Sequence, residues 1–492
     1  MKPGGPGSRG RLSRALRHPL VGLLVAVAVI GMTWALLVPP WQSPDEVWHF
    51  AYAESLAERF ALPNAPGRPP FSSAESLAVD ADHASAVPFY SAQVRPDWNA
   101  GDFRLYLAEA AAHPSRSDGG GFNTETANPP LLYLYDDLAY WVSGGNAFDR
   151  LYAMRMWNVS LLLATVVGAW LLAGEVFRRR RLAQVVCAAV VGLIPMQTFI
   201  LTSVNPDALL VPLWTLALWL SARVITRRAR MRDVVALFAL TAAAILTKAT
   251  GYALVPPVVV AVGAGLLRRP AAERRELVKH ALLASPVLLV PVLGWVGLSE
   301  ALGRPVVNQI SSAAGRRPSS FRVPQFMSYV WQFYLPRLPF MPRFSSTSGL
   351  SAWEIWLKGA WGRFGYLDVQ LSSVIYGLVA AVTGLVGVAT LGLLARVRDR
   401  GRLWLPAFFA VALLSLLLLL HISDYRSIVA GDGQLAQGRY LLPLAGLFGL
   451  AAAFITGRLP ARWRPAMAGA MIAGLVLLQV VALTTVAKAY FT

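Results

Sequence analysis

Eleven stretches of this chain, at about 19–38, 156–177, 182–201, 208–225, 233–249, 252–267, 281–298, 371–394, 403–421, 440–456 and 465–487, are apolar runs cut by clusters of arginine. A helix needs about 20 apolar residues to cross roughly 30 Å of hydrocarbon. Lipid offers the backbone no hydrogen bonds, so runs of this length must satisfy their own and fold as helices. Hydrophobic residues make up 56% of the 492 positions and charged residues 14%, where a soluble domain carries about 25% charge. The chain is therefore expected to be an all-α polytopic membrane protein with about eleven transmembrane helices.

The arginines set an expected orientation. Basic blocks fall at the N-terminus, at Arg178 to Arg181, Arg223 to Arg232, Arg268 to Lys279, Arg396 to Arg402, and Arg458 to Arg464, after every second predicted helix. The positive-inside rule makes that side cytoplasmic. Residues 1–18 then form a cytoplasmic basic N-terminus, and 19–38 the first helix, too long for a signal peptide and without an Ala-x-Ala cleavage site. Helices two to seven occupy 156–298 and helices eight to eleven 371–492. The 39–155 and 299–370 segments become two long outer loops, with Ser423 to Arg439 beside them. Net charge is +19, but the short blocks read as orientation rather than as a nucleic-acid patch. Abundant alanine and arginine suggest a high-GC bacterium, so a multi-pass protein of the bacterial cytoplasmic membrane is expected, its active face outside.

One cysteine, Cys187, excludes an intramolecular disulfide and a cysteine metal site. The first loop carries fifteen acidic and seven basic residues, whereas the second carries three acidic and eight basic ones. A basic outer loop docks either onto the acidic loop or lipid headgroups, or onto a phosphate-bearing substrate.

Directly after the first predicted helix runs Pro39-Pro40-Trp41-Gln42-Ser43-Pro44-Asp45-Glu46-Val47-Trp48-His49-Phe50. Ser43 as N-cap, Pro44 at the first position and Glu46 reaching back would make a capping box. The residues that follow, Val47 to Phe60, read as an interfacial amphipathic helix within an acidic loop of short helices. Asp45 is then left without a capping duty at the membrane surface, where a carboxylate can act as general base on an acceptor hydroxyl. Asn205-Pro206-Asp207 reads first as a helix start. Arg439 and Lys248 are cations at outer helix ends; Arg439 follows Gly438, which permits close approach.

These residues belong to an ordered set: Pro44-Asp45-Glu46 with His49, Asn128-Pro129-Pro130-Leu131-Leu132-Tyr133, Arg155 with Asn158, Asn205-Pro206-Asp207, Phe364-Gly365-Tyr366-Leu367-Asp368, and Gln437-Gly438-Arg439-Tyr440-Leu441-Leu442-Pro443. The set resembles a family of predicted bacterial membrane proteins placed among the GT-C glycosyltransferases. That resemblance implies a GT-C-like bundle and a sugar donor carried on a polyprenyl phosphate, with a glycan or lipid acceptor from the cell envelope. It implies an acidic base in the first outer loop, a role that maps onto Asp45, with Glu46 as second choice, and direct displacement with one such base would invert the anomeric centre. Substrate contacts are then expected from His49, Arg155, Lys248, Arg337, Arg343 and Arg439. Asn128 stands where the family pattern has histidine, which weakens a catalytic role at that position.

No phosphate loop, dinucleotide fingerprint, His-Glu-x-x-His or EF-hand loop is present. No cofactor is required, although Asp45, Glu46 and another acid could take a divalent metal. Two rival readings are a transporter or flippase of a lipid-linked saccharide, and a non-catalytic envelope-assembly partner. A transporter calls for ionisable groups near the bilayer midplane, and Glu175 and Lys248 both lie near helix ends.

Overall fold

The computed structural model describes residues 18–84, 99–304, 321–341, 351–399, 401, 403–431 and 433–491. They form α1 (Pro19–Leu37), then a first long loop holding α2 (Glu46–Arg59), α3 (Ser73–Ala81), α4 (Ala100–Ala110) and α5 (Leu131–Ser143). The bundle continues with α6 (Ala147–Val176), α7 (Arg181–Leu193), α8 (Pro195–Leu201), α9 (Asp207–Thr226) and α10 (Met231–Ile245). A 3-10 turn (Ala249–Leu254) leads into α11 (Val255–Leu267), followed by α12 (Ala271–Ala301). The second long loop contains α13 (Val323–Tyr334), a helical turn over 353–361 and a two-stranded hairpin, in which Arg363 pairs Gln370 and Phe364 pairs Val369. Helices α14 (Ser373–Ala395), α15 (Trp404–Ala430), a 3-10 turn (Gly438–Leu444) with α16 (Ala445–Arg458), and α17 (Arg464–Phe491) complete the chain.

Among the described residues nine helices are long and apolar enough to cross a membrane, or ten if the bent pair α7 and α8 counts as one span. The chain is thus a multi-pass, almost purely helical membrane protein. The fifth expected span, 233–249, is the 15-residue α10, about 22 Å long at 1.5 Å per residue. It still runs back along α9. Arg223 and Asp233 pair at one end (3.3 Å), and Lys248 meets Asp207 at the other (2.7 Å).

The 64° bend between α7 and α8 falls at Pro195, whose ring removes a backbone donor and cannot continue the helix. Gln479, from α17, fills the break. Its amide donates to Leu193 O (3.2 Å) and Thr198 Oγ1 (2.9 Å), and its oxygen accepts from Trp34 Nε1 (2.9 Å). A buried glutamine is tolerated in an apolar bundle because each of these groups would otherwise lack a partner. Trp34 then packs on Phe199 and Phe364, so α1, α8 and the hairpin share one core.

Basic residues gather at the end where α7 begins. Arg181 reaches His18, Arg227 pairs Glu175 (2.6 Å), and Arg268 donates to Gly401 O (2.7 Å). The long loops meet at the opposite end. There Arg304, just after α12, donates to Pro63 O (2.9 Å) and to Thr126 O. The second loop therefore docks on first-loop carbonyls at this point, not on its acids.

Two local expectations fail. The capping box does not form: Asp45, not Ser43, immediately precedes α2, and Glu46 turns away into the bundle. Nor is α2 interfacial, since eleven of its fourteen residues are buried. The amphipathic helix with an exposed apolar face is α5, which shows Leu134, Leu138, Trp141 and Val142 outward and buries Asp136 and Asp137. Polar inside and apolar outside is the arrangement lipid selects. The first loop is also less anionic than its composition, because burial raises the carboxyls of Glu54 to about 7 and Asp137 to about 8.

Candidate active site

The Pro44-Asp45-Glu46 turn is held from three directions. Asp45 adopts φ 61°, in the left-handed region that aspartate and asparagine tolerate better than most residues. Asn205 donates its amide to Pro44 O (3.1 Å) and takes Asp207 N on its oxygen (3.0 Å), tying this turn to the start of α9. Glu46 accepts from Val204 N (3.2 Å). The conformation is therefore over-determined by its neighbours, as a strained backbone must be.

Arg439 comes to Asp45 from 394 positions away, and its Nη2 donates to Asp45 Oδ2 at 2.8 Å. The guanidinium is 3% exposed and the carboxylate 21%. Nε and Nη1 of Arg439 are buried without a hydrogen-bond partner. Next to this pair Lys248 Nζ binds Asp207 Oδ1 at 2.7 Å, and the Tyr440 ring lies 4.6 Å from Lys248 Nζ and 5.3 Å from Arg439 Cζ. Two cations thus share one aromatic platform, and one of them keeps buried donors unused. A buried donor left unmade costs about 1–3 kcal/mol, so Arg439 is poised for a further acceptor.

On the other side of Asp45 stand His49 and Glu125, whose ligand atoms lie with those of Asp45 within 4.8 Å of one another. Burial, then Lys248 and Arg439, hold His49 well below the ordinary imidazole range, so it is neutral. Its Nε2 lies 3.4 Å from the Asn205 amide and its Nδ1 2.9 Å from the Tyr133 hydroxyl. The acidity of Glu125 is shifted to about 7, first by burial and then by the Asp45 charge. Asn128 donates to Glu125 and to Tyr133 Oη (3.3 Å), and its own carbonyl accepts from Tyr52 Oη (2.9 Å). Asn128 is thus a support for the acid three residues before it. Two carboxylates and an imidazole fit the donor preferences of a divalent cation such as zinc or manganese. Glu125 is the further acid that joins Asp45 in this group, and Glu46 is not among its members.

Glu46 and Arg155 have other work. Arg155, inside α6, donates from Nε to Glu46 Oε1 (2.9 Å) and from Nη2 to Glu46 Oε2 and Pro39 O (2.9 Å). Its Nη1 donates to Ala35 O (3.3 Å) and Val38 O (2.6 Å). All five guanidinium donors are used, leaving none for a substrate phosphate. This buried pair closes the end of α1 onto α6. Arg337 is exposed and donates to Met341 O (2.7 Å), outside the cluster. Arg343, with Arg316 and Arg317, lies outside the described residues. Glu125 and Asp207 belong to this cluster although the sequence alone does not mark them. The signal for Glu125 is its place three residues before the Asn128-Pro129-Pro130 turn, and for Asp207 its place in a motif that local capping explains.

The profile of the predicted membrane protein family DUF2142 matches residues 28–448. The chain belongs to that family. As a DUF2142 protein it has no match among curated protein sequences. Among solved structures it is similar to ArnT from Cupriavidus metallidurans bound to undecaprenyl phosphate, at 16% identity and a TM-score of 0.48. That alignment covers 96% of this chain and 75% of ArnT. ArnT in the apo state gives 15% identity, a TM-score of 0.45 and the same coverage. The oligosaccharyltransferase of Archaeoglobus fulgidus in the apo form gives 13% identity and a TM-score of 0.42, over 96% of this chain and 56% of that one.

Proposed function

We propose that this DUF2142 protein is a GT-C-type glycosyltransferase that moves a sugar from a polyprenyl-phosphate donor to a hydroxyl of a cell-envelope glycan or lipid. The observation that carries the reading is the Asp45 and Arg439 pair: a partly exposed carboxylate held by a buried guanidinium whose Nε and Nη1 remain unpartnered. One arginine can then serve both ends of a transfer. Nη2 fixes the base, and the remaining donors receive the phosphate.

In this mechanism the acceptor hydroxyl loses its proton to Asp45 as its oxygen bonds to the anomeric carbon. The bond from that carbon to the phosphate oxygen breaks, and polyprenyl phosphate leaves with the electron pair. Arg439 and Lys248 stabilise the charge that develops on the phosphate. A single displacement inverts the anomeric centre. Asp45, His49 and Glu125 are the residues that would hold a divalent cation, which if bound would supply fixed positive charge to the site.

Replacing Arg439 tests the phosphate role. Arg439→Ala removes a charge-assisted contact worth about 1.5–3 kcal/mol, so polyprenyl-phosphate affinity falls roughly ten- to a hundredfold. Binding measured on purified protein in nanodiscs decides the matter, and unchanged affinity in folded protein removes Arg439 from the site.

The site is assigned to the outer face of the cytoplasmic membrane, on the basic blocks gathered at the far end of the bundle. The native Cys187 is buried, so single introduced cysteines report cleanly. Cysteines placed at the exposed positions Glu109 and Pro339 should react with impermeant maleimide in intact cells, and one at the exposed Arg179 only after lysis. The opposite pattern would invert the topology.

A further inference from the structure

Arg439 follows a stretch, 433–437, that belongs to no helix, yet its guanidinium must be held in register with Asp45. Two contacts fix that stretch, one from α15 backed by a residue of the second long loop and one from the second long loop itself. In the first, Asp424 near the end of α15 accepts Leu435 N (2.6 Å) and Ala436 N (2.7 Å) on Oδ1, and the hydroxyl of Tyr329 from α13 on Oδ2 (2.5 Å). Asp424 is 1% exposed. Its carboxylate therefore binds the backbone three and four residues ahead of Arg439, and Asp45 is the anion bonded to that guanidinium.

In the second contact, Gly438 lies directly against Gly359 of the 353–361 turn. A Cβ on Gly359 would stand 2.8 Å from Gly438 Cα and N, and a Cβ on Gly438 would strike the Gly359 and Ala360 backbone. Only glycine at both positions permits this approach. The stretch that carries Arg439 into the site is thus held twice, through the amides of Leu435 and Ala436 and by backbone contact at Gly438.

We infer that Tyr329 and Asp424 are positioning residues for Arg439: through them, and through the contact of Gly359 with Gly438, the second loop sets where Arg439 Nε and Nη1 point and so sets the affinity for a lipid phosphate. This rests on the reading of Arg439 as the phosphate anchor. A displacement of about 1 Å at a binding group is enough to lose much of its contribution. The Tyr329 and Asp424 contact thereby makes the loop part of donor recognition without touching the donor.

The test uses full-length protein in nanodiscs and undecaprenyl phosphate as the probe, with each variant made alone and in an Arg439→Gln background. Asp424→Ala should weaken binding roughly tenfold and Tyr329→Phe about threefold, while Asp424→Asn, which keeps an acceptor oxygen, stays within about twofold of the parent. In the Arg439→Gln background the same changes should add less than about twofold, because residues acting through one group are not additive. Hydrogen exchange at Leu435 and Ala436 should accelerate in Asp424→Ala with the rest of the chain unchanged. Equal losses with and without Arg439 would overturn the inference, as would parent affinity in Asp424→Ala beside weakened Arg439→Gln. Parent affinity in Arg439→Gln itself would overturn the phosphate role and this inference with it. If Asp424→Ala does not fold, Tyr329→Phe, which deletes one hydroxyl, separates the same outcomes.

Discussion

Asp45→Asn should lower transfer from a lipid-phosphate sugar by about two to four orders of magnitude while the protein stays folded. Asparagine is suited to the φ 61° conformation and still offers an oxygen to Arg439 Nη2, so the turn is preserved. What it cannot do is accept a proton. The competing role for Asp45 is as a counter-charge that merely steadies Arg439, and the two roles separate in the kinetics. Loss of a base appears in kcat with donor affinity changed only a few-fold, whereas loss of a counter-charge appears in donor affinity with kcat kept. Turnover close to that of the unaltered protein would end the assignment of Asp45 as base. Asp45→Ala is the poorer probe, since it adds the cost of a left-handed backbone to the loss of the carboxylate.

The membrane helices are legible in the sequence because hydrophobicity over about 20 residues is a property of the segment itself. The α10 span is shorter than its apolar run because that run continues through Leu246 and Thr247 into the 3-10 turn, and composition does not register where a helix stops. Asp45 and Arg439 can each be singled out from the sequence, one for lacking a capping duty, the other for standing against the positive-inside trend. Their meeting at 2.8 Å cannot, because nothing local connects residues 394 apart. Glu46 shows the reverse case. Capping chemistry offers it a local partner, and a tertiary ion pair with Arg155 takes precedence. In the same way α2 carries a stripe that suits an interface, while the helix that turns apolar side chains outward, α5, has its acids pointing inward. Sequence periodicity reveals that a helix has two faces, and only the packing decides which one lipid receives.

The same buried pair yields the largest stability effect. Arg155→Met should lower the unfolding free energy by about 3–5 kcal/mol, because Glu46 is left as an uncompensated charge in the bundle and three backbone carbonyls lose their donor. Glu46→Gln should be almost as damaging. Its amide can retain one contact to Arg155, but the guanidinium keeps its charge with no carboxylate opposite. Had Glu46 served a capping box, glutamine would have been tolerated, so this one substitution separates the surface reading from the buried one. The double variant Glu46→Gln/Arg155→Met completes a cycle. With neither charge present it should recover a good part of the loss, the two single costs failing to add by about 1–3 kcal/mol. Unfolding in detergent followed through a graded addition of SDS measures all four proteins on one scale. If Glu46→Gln unfolds with the parent, the pair is not holding α1 to α6, and Arg155 returns to consideration as a group with donors to spare.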